Sequence, residues 1–300
     1  MKHRALNAFP DAARESEQIA HSLRASCLYT AVCAIRSLHA ELVLYPKPGL
    51  VSPVDNGSHD DMDAGLFLRS LFSLRHYFIR MAHAGAQSAS FDTLKECGMQ
   101  AERRMLAATN GINTHRGAIF SLGILCAAAG YCHGHALPLS ANNLRSVLRA
   151  EWGKALLAHA NPAVAKLSNG LRVSHLYAVN GARAEGAQGF PAVFEIGIPQ
   201  LMQSFAAGAQ VTEAQVDTLF SLMAQMVDTN IYHRGGVDGA ALVRQAAQQF
   251  MQSGGTAQTD WCSRALECHH LFVSHNLSPG GAADMLSACW FVYQLTQTAE

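Results

Sequence analysis

The sequence predicts an all-α protein in a single domain, on three observations. Apolar residues recur at steps of three and four along most of the chain, the period of an amphipathic helix. Strict alternation of apolar and polar residues, the sign of a strand, is hard to find. Gly, Pro, Asn and Ser mark the connections, and no long linker or fixed-period repeat divides the 300 residues. We therefore expect a loose segment over 1–14 and one helical domain over 15–300.

The first predicted helix, 15–44, carries Ile19, Leu23 and Cys27 on one stripe. The second, 61–83, repeats this spacing with Leu and Phe. Later helices are separated by Gly-rich or Pro-containing breaks. They are predicted over 91–109, 117–131, 141–159, 191–207, 212–228, 237–252, 257–275 and 280–297.

Composition and charge limit the classes of function. Hydrophobic residues make up 49% of the chain and charged residues 15%, enough for a large core. Lys plus Arg equals Asp plus Glu at 22 each, so neither nucleic acid nor an anionic membrane surface is the expected partner. The longest apolar stretch, AIFSLGILCAAAG, falls short of the roughly twenty residues of a membrane span, and the start lacks the apolar block of a secretion signal.

The eight cysteines contain no CxxC pair and mostly lie in apolar helical patterns. We expect reduced, buried thiols and a cytoplasmic protein. The segments CHGH (132–135) and CHHLFVSH (268–275) lack the ligand spacing of a zinc site, so a structural role is the favoured interpretation.

Polar residues concentrate in five breaks between the predicted helices. Loops and helix N-termini offer free backbone N–H groups and a positive dipole end to an anion. Because the breaks also contain Lys47, Arg116, Arg183 and Arg234, they predict a polyphosphate pocket, and we expect them to converge on one cleft. The breaks are YPKPGLVSPVDNGSHDDMD, GINTHRG, VNGARAEGAQGFP, DTNIYHRGGVDG and NLSPGGAADM.

The break SPGGAAD has two interpretations. Ser278 suits a helix N-cap, with Pro279 at the first helical position. Gly280 and Gly281 each weaken a helix start by roughly 1 kcal/mol relative to Ala, which a ligand close to the backbone would explain. Asp284 follows about one turn into the helix. Both interpretations stay open on this stretch alone.

Charged residues in three further breaks are also ambiguous. The acidic run HDDMD (59–63) suits either a helix start or a Mg²⁺ site. The helix start is the favoured interpretation. Arg183 with Glu185, and Asp228 with Arg234, suit salt-bridged loops. Functional use is favoured for these pairs because neither break has the Lys and Glu of an ordinary solvated surface.

Six blocks carry a family resemblance that extends over about residues 20 to 297. They are KPGLV (47–51), GSHDDM (57–62), GINTHRG (111–117), GARAEG (181–186), DTNIYHRGG (228–236) and SPGGAADML (278–286). In this order they resemble the triphosphoribosyl-dephospho-CoA synthase family. The resemblance implies an all-α fold and a reaction in which ATP and 3′-dephospho-CoA give 2′-(5″-triphosphoribosyl)-3′-dephospho-CoA and adenine. That product is the prosthetic-group precursor of the acyl-carrier subunit of malonate decarboxylase or citrate lyase.

Two details refine the resemblance. DTNIYHR (228–234) and SPGGAAD are closer to the malonate decarboxylase members, whereas citrate lyase members tend to have SPGGSAD. Relatives often have an acid directly after KPGLV, where this chain has Ser52. Any role of that acid would pass to Asp55 or to the 60–63 cluster. There Asp61 is favoured, because Asp60 falls at a position that is Lys in some relatives.

The implied reaction is a substitution at the anomeric carbon of the ATP ribose. Its oxocarbenium-like transition state needs a carboxylate near the sugar, which can also accept the proton of the attacking hydroxyl. It needs a donor that helps adenine depart, and cations that hold the triphosphate.

We assign the candidates from this chemistry. The catalytic candidates are Asp61, Glu185, Asp284 and His115. The candidate Mg²⁺ ligands are Asp61, Asp228 and Asp284. The candidate phosphate and substrate contacts are Lys47, Asn113, Thr114, Arg116, Gly117, Arg183, Arg234, Ser278, Gly280 and Gly281.

Two other functions compete with this interpretation. An all-α, Mg²⁺-dependent ADP-ribosyl-type hydrolase would attack an anomeric carbon with water, and would release ribose triphosphate without an acceptor. A non-catalytic scaffold for the acyl-carrier subunit would need a broad exposed face rather than Gly-rich breaks. Self-association of the chain is left open.

Overall fold

Helices form nearly all the regular structure in the computed structural model, which describes residues 9–160 and 181–297, and these ranges contain no strand. The all-α prediction is confirmed. Leu148–Trp152 and Ala192–Gly197 are π-helical turns, and Gly255–Ala257 is a 3₁₀ turn. The helices are α1 (Phe9–Val43), α2 (Ala64–Ser73), α3 (Arg75–Ala86), α4 (Phe91–Ala108), α5 (Arg116–Gly134), α6 (Ala141–Val147), α7 (Gly153–Ala160), α8 (Ala182–Ala187), α9 (Ile198–Ala206), α10 (Val211–Gln225), α11 (Thr229–Gln252), α12 (Trp261–Ser274) and α13 (Gly280–Gln297).

Several boundaries differ from the predicted ones. Helix α1 begins at Phe9, six residues before its predicted start, and the rest of the predicted loose segment, 1–8, lies outside the described residues. The predicted helix 61–83 is two helices that meet at Leu74. Helix α8 was not predicted. Helix α11 begins at Thr229 rather than 237, with a kink at Gly236 (φ 62°) between two helical segments.

Helix α5 lies at the centre of the core and packs against α1, α3 and α13. Gly85 and Gly130 let α3 and α5 approach closely, since an added Cβ on either would lie 1.9 Å from a carbonyl oxygen of the other helix. At 19 residues, α5 is long and apolar enough to cross a membrane, contrary to the prediction from AIFSLGILCAAAG alone. Because 72% of it is buried in the protein, it has the character of a core helix. Five of the eight cysteines are also buried.

Two carboxylates join the first turns of three helices. Asp228 is the N-cap of α11 and also accepts the Ala282 N–H of α13, at 3.0 Å. Asp284, in α13, accepts the backbone N–H of Ala118 in α5. The N-termini of α5, α11 and α13 therefore meet at one place, which is where the cavity described next is formed.

Candidate active site

Residues from all five predicted breaks line a single cavity of about 1640 Å³. The expectation that these distant segments converge on one cleft is confirmed. Lys47 and Asp61 are not part of the lining. The predicted residues that line it are Asn113, Thr114, His115, Arg116, Gly117, Arg183, Glu185, Asp228, Arg234, Ser278, Gly280, Gly281 and Asp284.

Asp228 caps two helices at once. Its Oδ1 accepts the Asn230 N–H at 2.9 Å, and its Oδ2 accepts the Ala282 N–H. Burial raises the pKa of the carboxyl, while these backbone donors act in the opposite direction. An added Cβ on Gly281 would lie 2.7 Å from Oδ1, so this glycine leaves room for a carboxylate of the protein. The need for a small residue here is thus explained without a ligand.

The cap of α13 differs from the predicted one. The helix begins at Gly280, and its first amides are capped by Asp228, 54 residues earlier in the chain. The hydroxyl of Ser278 is instead 2.9 Å from Nε2 of His59. Ser278 is buried and fastens the 57–62 segment beside the helix start. A sequence pattern of local caps could not show this long-range partner.

Asp284 is the most perturbed acid of the cavity. Burial raises its pKa well above the ordinary value, and the nearby charges of Glu41 and Asp228 raise it further, against one backbone donor from Ala118. An added Cβ on Gly117 would lie only 1.9 Å from Asp284 Oδ2. The absence of a Cβ at Gly117 therefore leaves the space that the Asp284 carboxylate occupies.

His115 lies beside the start of α5, buried and in edge contact with the Phe67 ring at 5.0 Å. Its Nδ1 is 2.6 Å from the hydroxyl of Ser70, while its Nε2 is buried without a hydrogen-bond partner. Burial, with the positive charge of Lys47 adding to it, lowers the pKa of the imidazole to about 3. The ring is therefore neutral at physiological pH.

Lys47 is placed behind the cavity wall. Its Nζ lies 2.5 Å from Oε1 of Glu41 and 2.8 Å from the Glu41 carbonyl oxygen, and the pair is buried. The predicted phosphate contact is thus occupied by an internal ion pair. Glu41 itself lines the cavity, so the pair influences the site through its charges.

Arg183 and Glu185, both on α8, do not pair with each other. Glu185 Oε1 accepts the Ala192 N–H at 2.6 Å, and burial raises the pKa of this carboxyl. Arg183 donates to the carbonyl oxygen of His159 at 3.3 Å, and within the described ranges it has no carboxylate at ion-pair distance. Among the three arginines that line the cavity, Arg183 thus has the least compensation from described residues.

The other two rim arginines already have close protein partners. Arg116 pairs with Glu102 at 2.6 Å. Arg234 donates to the carbonyl oxygen of Ser58 at 2.9 Å, to Oδ1 of Asn276 at 2.7 Å, and its Nη2 lies 3.0 Å from Nδ1 of His59. Arg234 therefore ties two loops to α11 at the cavity rim.

The acidic run 59–63 divides between two roles. Asp63 is the N-cap of α2 and accepts the Leu66 N–H at 2.7 Å, so the helix-start interpretation is confirmed for it. Asp61 is exposed, and its Oδ1 lies 3.6 Å from His59 Nδ1. Across 9–160 and 181–297, no three His, Cys, Asp or Glu side chains are grouped closely enough to hold a metal. Asp61 is accordingly not assembled with Asp228 and Asp284 as a third ligand.

Ser52, where relatives often carry an acid, organises a turn. Its Oγ accepts the N–H groups of Val54 and Asp55, both at 3.2 Å. Asp55 accepts the Gly57 N–H at 2.8 Å and lies 3.4 Å from Nε2 of His269. Neither Ser52 nor Asp55 lines the cavity, so the carboxylates that face it are those of other segments.

Glu41, which lines the cavity, and Ser70, which contacts His115, are among the residues that were not found from the sequence. Each lies on a mostly apolar stripe, Glu41 in α1 and Ser70 in α2, and both are buried. A polar residue in a core stripe was the available signal, but it does not reveal which partner it faces.

The fold and the cleft define an all-α enzyme with buried carboxylates, a neutral imidazole and a cationic rim, suited to an anionic substrate. The family model described as ATP:dephospho-CoA triphosphoribosyl transferase matches residues 27–300. The chain belongs to this family and is a transferase.

Curated relatives agree with the family. A protein from Acinetobacter calcoaceticus named "Probable 2-(5''-triphosphoribosyl)-3'-dephosphocoenzyme-A synthase" is 39% identical, over 92% of both chains. One from Pectobacterium atrosepticum, named 2-(5''-triphosphoribosyl)-3'-dephosphocoenzyme-A synthase, is 35% identical over 86% of both. A Pseudomonas putida relative is 38% identical, over 88% of this chain and 93% of its own. No solved structure matches the chain.

Proposed function

We propose that this enzyme transfers the triphosphoribosyl group of ATP to the 2′-hydroxyl of 3′-dephospho-CoA and releases adenine. Family membership supports the choice of substrates. The observation that carries the chemistry is the buried Asp284 carboxylate, which Gly117 admits into the same cavity as neutral His115 and Arg183.

In the proposed reaction, Asp284 is the base. The bond between ribose C1′ and adenine N9 breaks and leaves its electrons on adenine, while the 2′-hydroxyl oxygen of dephospho-CoA bonds to C1′. The carboxylate takes the proton of the attacking hydroxyl, and the departing adenine takes up one proton, so none is consumed overall. A raised pKa suits a carboxylate that must accept a proton near neutral pH, and its negative charge stabilises the oxocarbenium-like sugar.

The triphosphate is proposed to lie against Arg183, the cavity arginine without a carboxylate partner among the described residues, and against Asn113 in the loop before α5. A helix N-terminus favours negative charge through its dipole and its amide groups. Arg116 and Arg234 supply positive potential at the rim while remaining bound to their protein partners.

Asp228 and Asp284 fit a Mg²⁺ ion that arrives with the nucleotide. Mg²⁺ is commonly held by one or two carboxylates plus substrate phosphates, so two acids suffice. Their neighbouring negative charges, with Glu41, leave a surplus that a cation would offset. The ion would neutralise phosphate charge. Loss of turnover in EDTA, recovered by added Mg²⁺, is the expected result, and full activity in EDTA would contradict it.

We propose that the product serves the acyl-carrier subunit of malonate decarboxylase, in the cytoplasm. The blocks DTNIYHR and SPGGAAD favour this branch over citrate lyase. Deletion of the gene should leave the malonate decarboxylase carrier without its prosthetic group by mass spectrometry. Loss confined to the citrate lyase carrier would assign the other branch.

The reaction is tested by incubating the enzyme with ATP, with and without dephospho-CoA. Adenine and a larger nucleotide are expected only with the acceptor. Ribose triphosphate formed without it would indicate a hydrolase. Thermal unfolding separates a scaffold from both, because ATP at a hundred times its dissociation constant should add about 2.7 kcal/mol to the free energy of unfolding.

A further inference from the structure

A chain of two hydroxyls leads to the imidazole at the cavity. Thr114 Oγ1 donates to Ser70 Oγ at 2.7 Å, and Ser70 Oγ lies 2.6 Å from Nδ1 of His115. Ser70 is fully buried in α2, and Thr114 lies on the loop before α5. Ser70 is 44 residues from Thr114 and 45 from His115 in sequence, and it connects their side chains in one hydrogen-bonded chain.

The hydrogen bonds of Ser70 favour one tautomer of His115. The Ser70 oxygen accepts the hydrogen of Thr114, and among the described residues its own hydrogen meets an acceptor at Nδ1 of His115. Nδ1 then accepts, and in a neutral imidazole the proton must reside on Nε2. His115 therefore presents an N–H donor at Nε2.

That donor has no partner among the described residues. His115 is 3% exposed, and its Nε2 is unpaired although the residue lines the cavity. A buried polar group left unpaired costs about 1–3 kcal/mol, so an acceptor supplied by a ligand in the cavity would be stabilising here. Because it belongs to a residue of the cavity wall, this unpaired atom points to a ligand contact.

The surroundings indicate which part of the ligand this is. The ring is neutral, its edge contacts Phe67, and Leu50 and Val51 line the cavity with it. A phosphate would be matched by a cation, whereas a neutral donor among apolar side chains suits a neutral heteroaromatic base. Purine ring nitrogens are acceptors, and they gain negative charge as the bond from C1′ to N9 breaks.

We propose that Ser70 and Thr114 are positioning residues that hold His115 as the Nε2–H tautomer, so that it donates a hydrogen bond to a ring nitrogen of the departing adenine. This inference rests on the proposed function. A neutral imidazole donates without transferring its proton, as a preorganised dipole that strengthens its interaction while charge develops on the leaving group. No covalent bond is made to His115.

The tautomer can be measured without any turnover. In protein labelled with ¹⁵N-histidine, the ring signals of His115 are identified by their loss in His115→Gln. Nε2 should carry the proton in the wild type, and the Nδ1–H form should gain population in Thr114→Val but not in Thr114→Ser. A wild-type ring protonated at Nδ1, or a tautomer unchanged in both Thr114→Val and Ser70→Ala, would overturn the inference.

Kinetics test the same residues against a merely structural role. Removing a hydrogen-bond partner that orients a functional histidine costs about 10–100-fold, so Ser70→Ala should lose that factor in kcat, with the KM for dephospho-CoA unchanged. The matched control is Ser73→Ala, three residues on in α2, whose hydroxyl donates to the Ser70 carbonyl oxygen. It should behave as wild type. If Ser70→Ala fails to fold, Thr114→Val on the loop gives the same comparison.

ATP analogues locate the acceptor. With 1-deaza-, 3-deaza- or 7-deaza-ATP, whichever lacks the contacted nitrogen, Ser70→Ala should cause no further loss in kcat. An equal loss with ATP and with all three analogues would contradict a hydrogen bond to a ring nitrogen of adenine. If the wild type releases no adenine from ATP, the proposed function fails, while the NMR result still decides the tautomer.

Discussion

Gly117→Ala adds one methyl group at the centre of the site. The new Cβ would lie 1.9 Å from Oδ2 and 2.8 Å from Cγ of Asp284, whereas ordinary contact begins at 3.4 Å. The carboxylate must therefore retreat by the difference, about 1.5 Å. A misplacement of about 1 Å costs about 100-fold in rate, so we expect kcat for adenine release to fall by at least that factor.

The stability of the fold should not fall with the rate. Gly117 is in the first turn of α5, and Ala is more favourable than Gly within a helix by up to about 1 kcal/mol. The three atoms nearest to the added Cβ all belong to the Asp284 side chain, so the backbone packing is preserved. The free energy of unfolding, from urea denaturation, should stay close to the wild-type value or change modestly.

The assay measures adenine release at saturating ATP and dephospho-CoA, with Gly98→Ala as the control. Gly98 is also helical and lines the same cavity, but its added Cβ would first meet Tyr77 Oη at an ordinary 3.6 Å. It should retain wild-type turnover. Combining Gly117→Ala with Asp284→Asn should add little to the loss from Asp284→Asn alone, because both act on one carboxylate. If Gly117→Ala turns over as fast as Gly98→Ala, the position of Asp284 is not what the chemistry requires.

Four further changes test the electrostatics of the site. Asp284→Asn should cut adenine release by more than about 100-fold. It should also raise the free energy of unfolding near neutral pH in EDTA. Because burial and two neighbouring acids raise its folded-state pKa above the ordinary 3.8, the wild type loses stability as pH rises through that range, and the gain should shrink near pH 4. For His115 the sign is reversed. Folding lowers its pKa from 6.5 to about 3, so the wild type loses stability as pH falls between those values. His115→Gln should reduce the dependence of melting temperature on pH over this range. Parallel profiles for the two proteins would contradict the buried, neutral ring. Lys47→Met should lower the free energy of unfolding in urea by about 3–5 kcal/mol, because it leaves Glu41 charged and buried. Adding Glu41→Gln should restore most of that stability. An equal loss in the double variant would mean that the broken ion pair is not the cause. Arg183→Met should raise the KM for ATP about 10–100-fold, which corresponds to the loss of one charge-assisted hydrogen bond, and should leave the free energy of unfolding unchanged. An unaltered KM would show that Arg183 does not contact the phosphates.

The helices and the location of the site were predictable because both depend on local patterns. A stripe such as Ile19, Leu23 and Cys27 needs only a period of 3.6 residues to indicate a helix. Polar, Gly-rich breaks such as GINTHRG indicate where a helical scaffold exposes backbone amides. The family resemblance added the reaction.

Partners across the chain were not predictable, since a pattern of neighbours holds no information about distant side chains. Lys47 was expected at phosphate, but the loop after α1 brings it back onto Glu41, a contact that helical spacing does not indicate although it is only six residues away. In one of the two interpretations of SPGGAAD, Ser278 caps α13, but Asp228 at the start of α11 accepts the Ala282 N–H instead. In each case the predicted role was chemically reasonable, but a different protein group makes the contact in the folded structure.

The sequence by itself determined an all-α chain, the polar segments that meet at its cleft, and the family to which it is similar. Only the tertiary structure decided that Gly117 makes room for Asp284, that Ser70 contacts Nδ1 of His115, and that Asp61 is not grouped with Asp228 and Asp284. The physical reason is range. Helix formation depends on residues within a few positions, whereas burial, charge and hydrogen bonding at the cleft depend on which helix ends pack together.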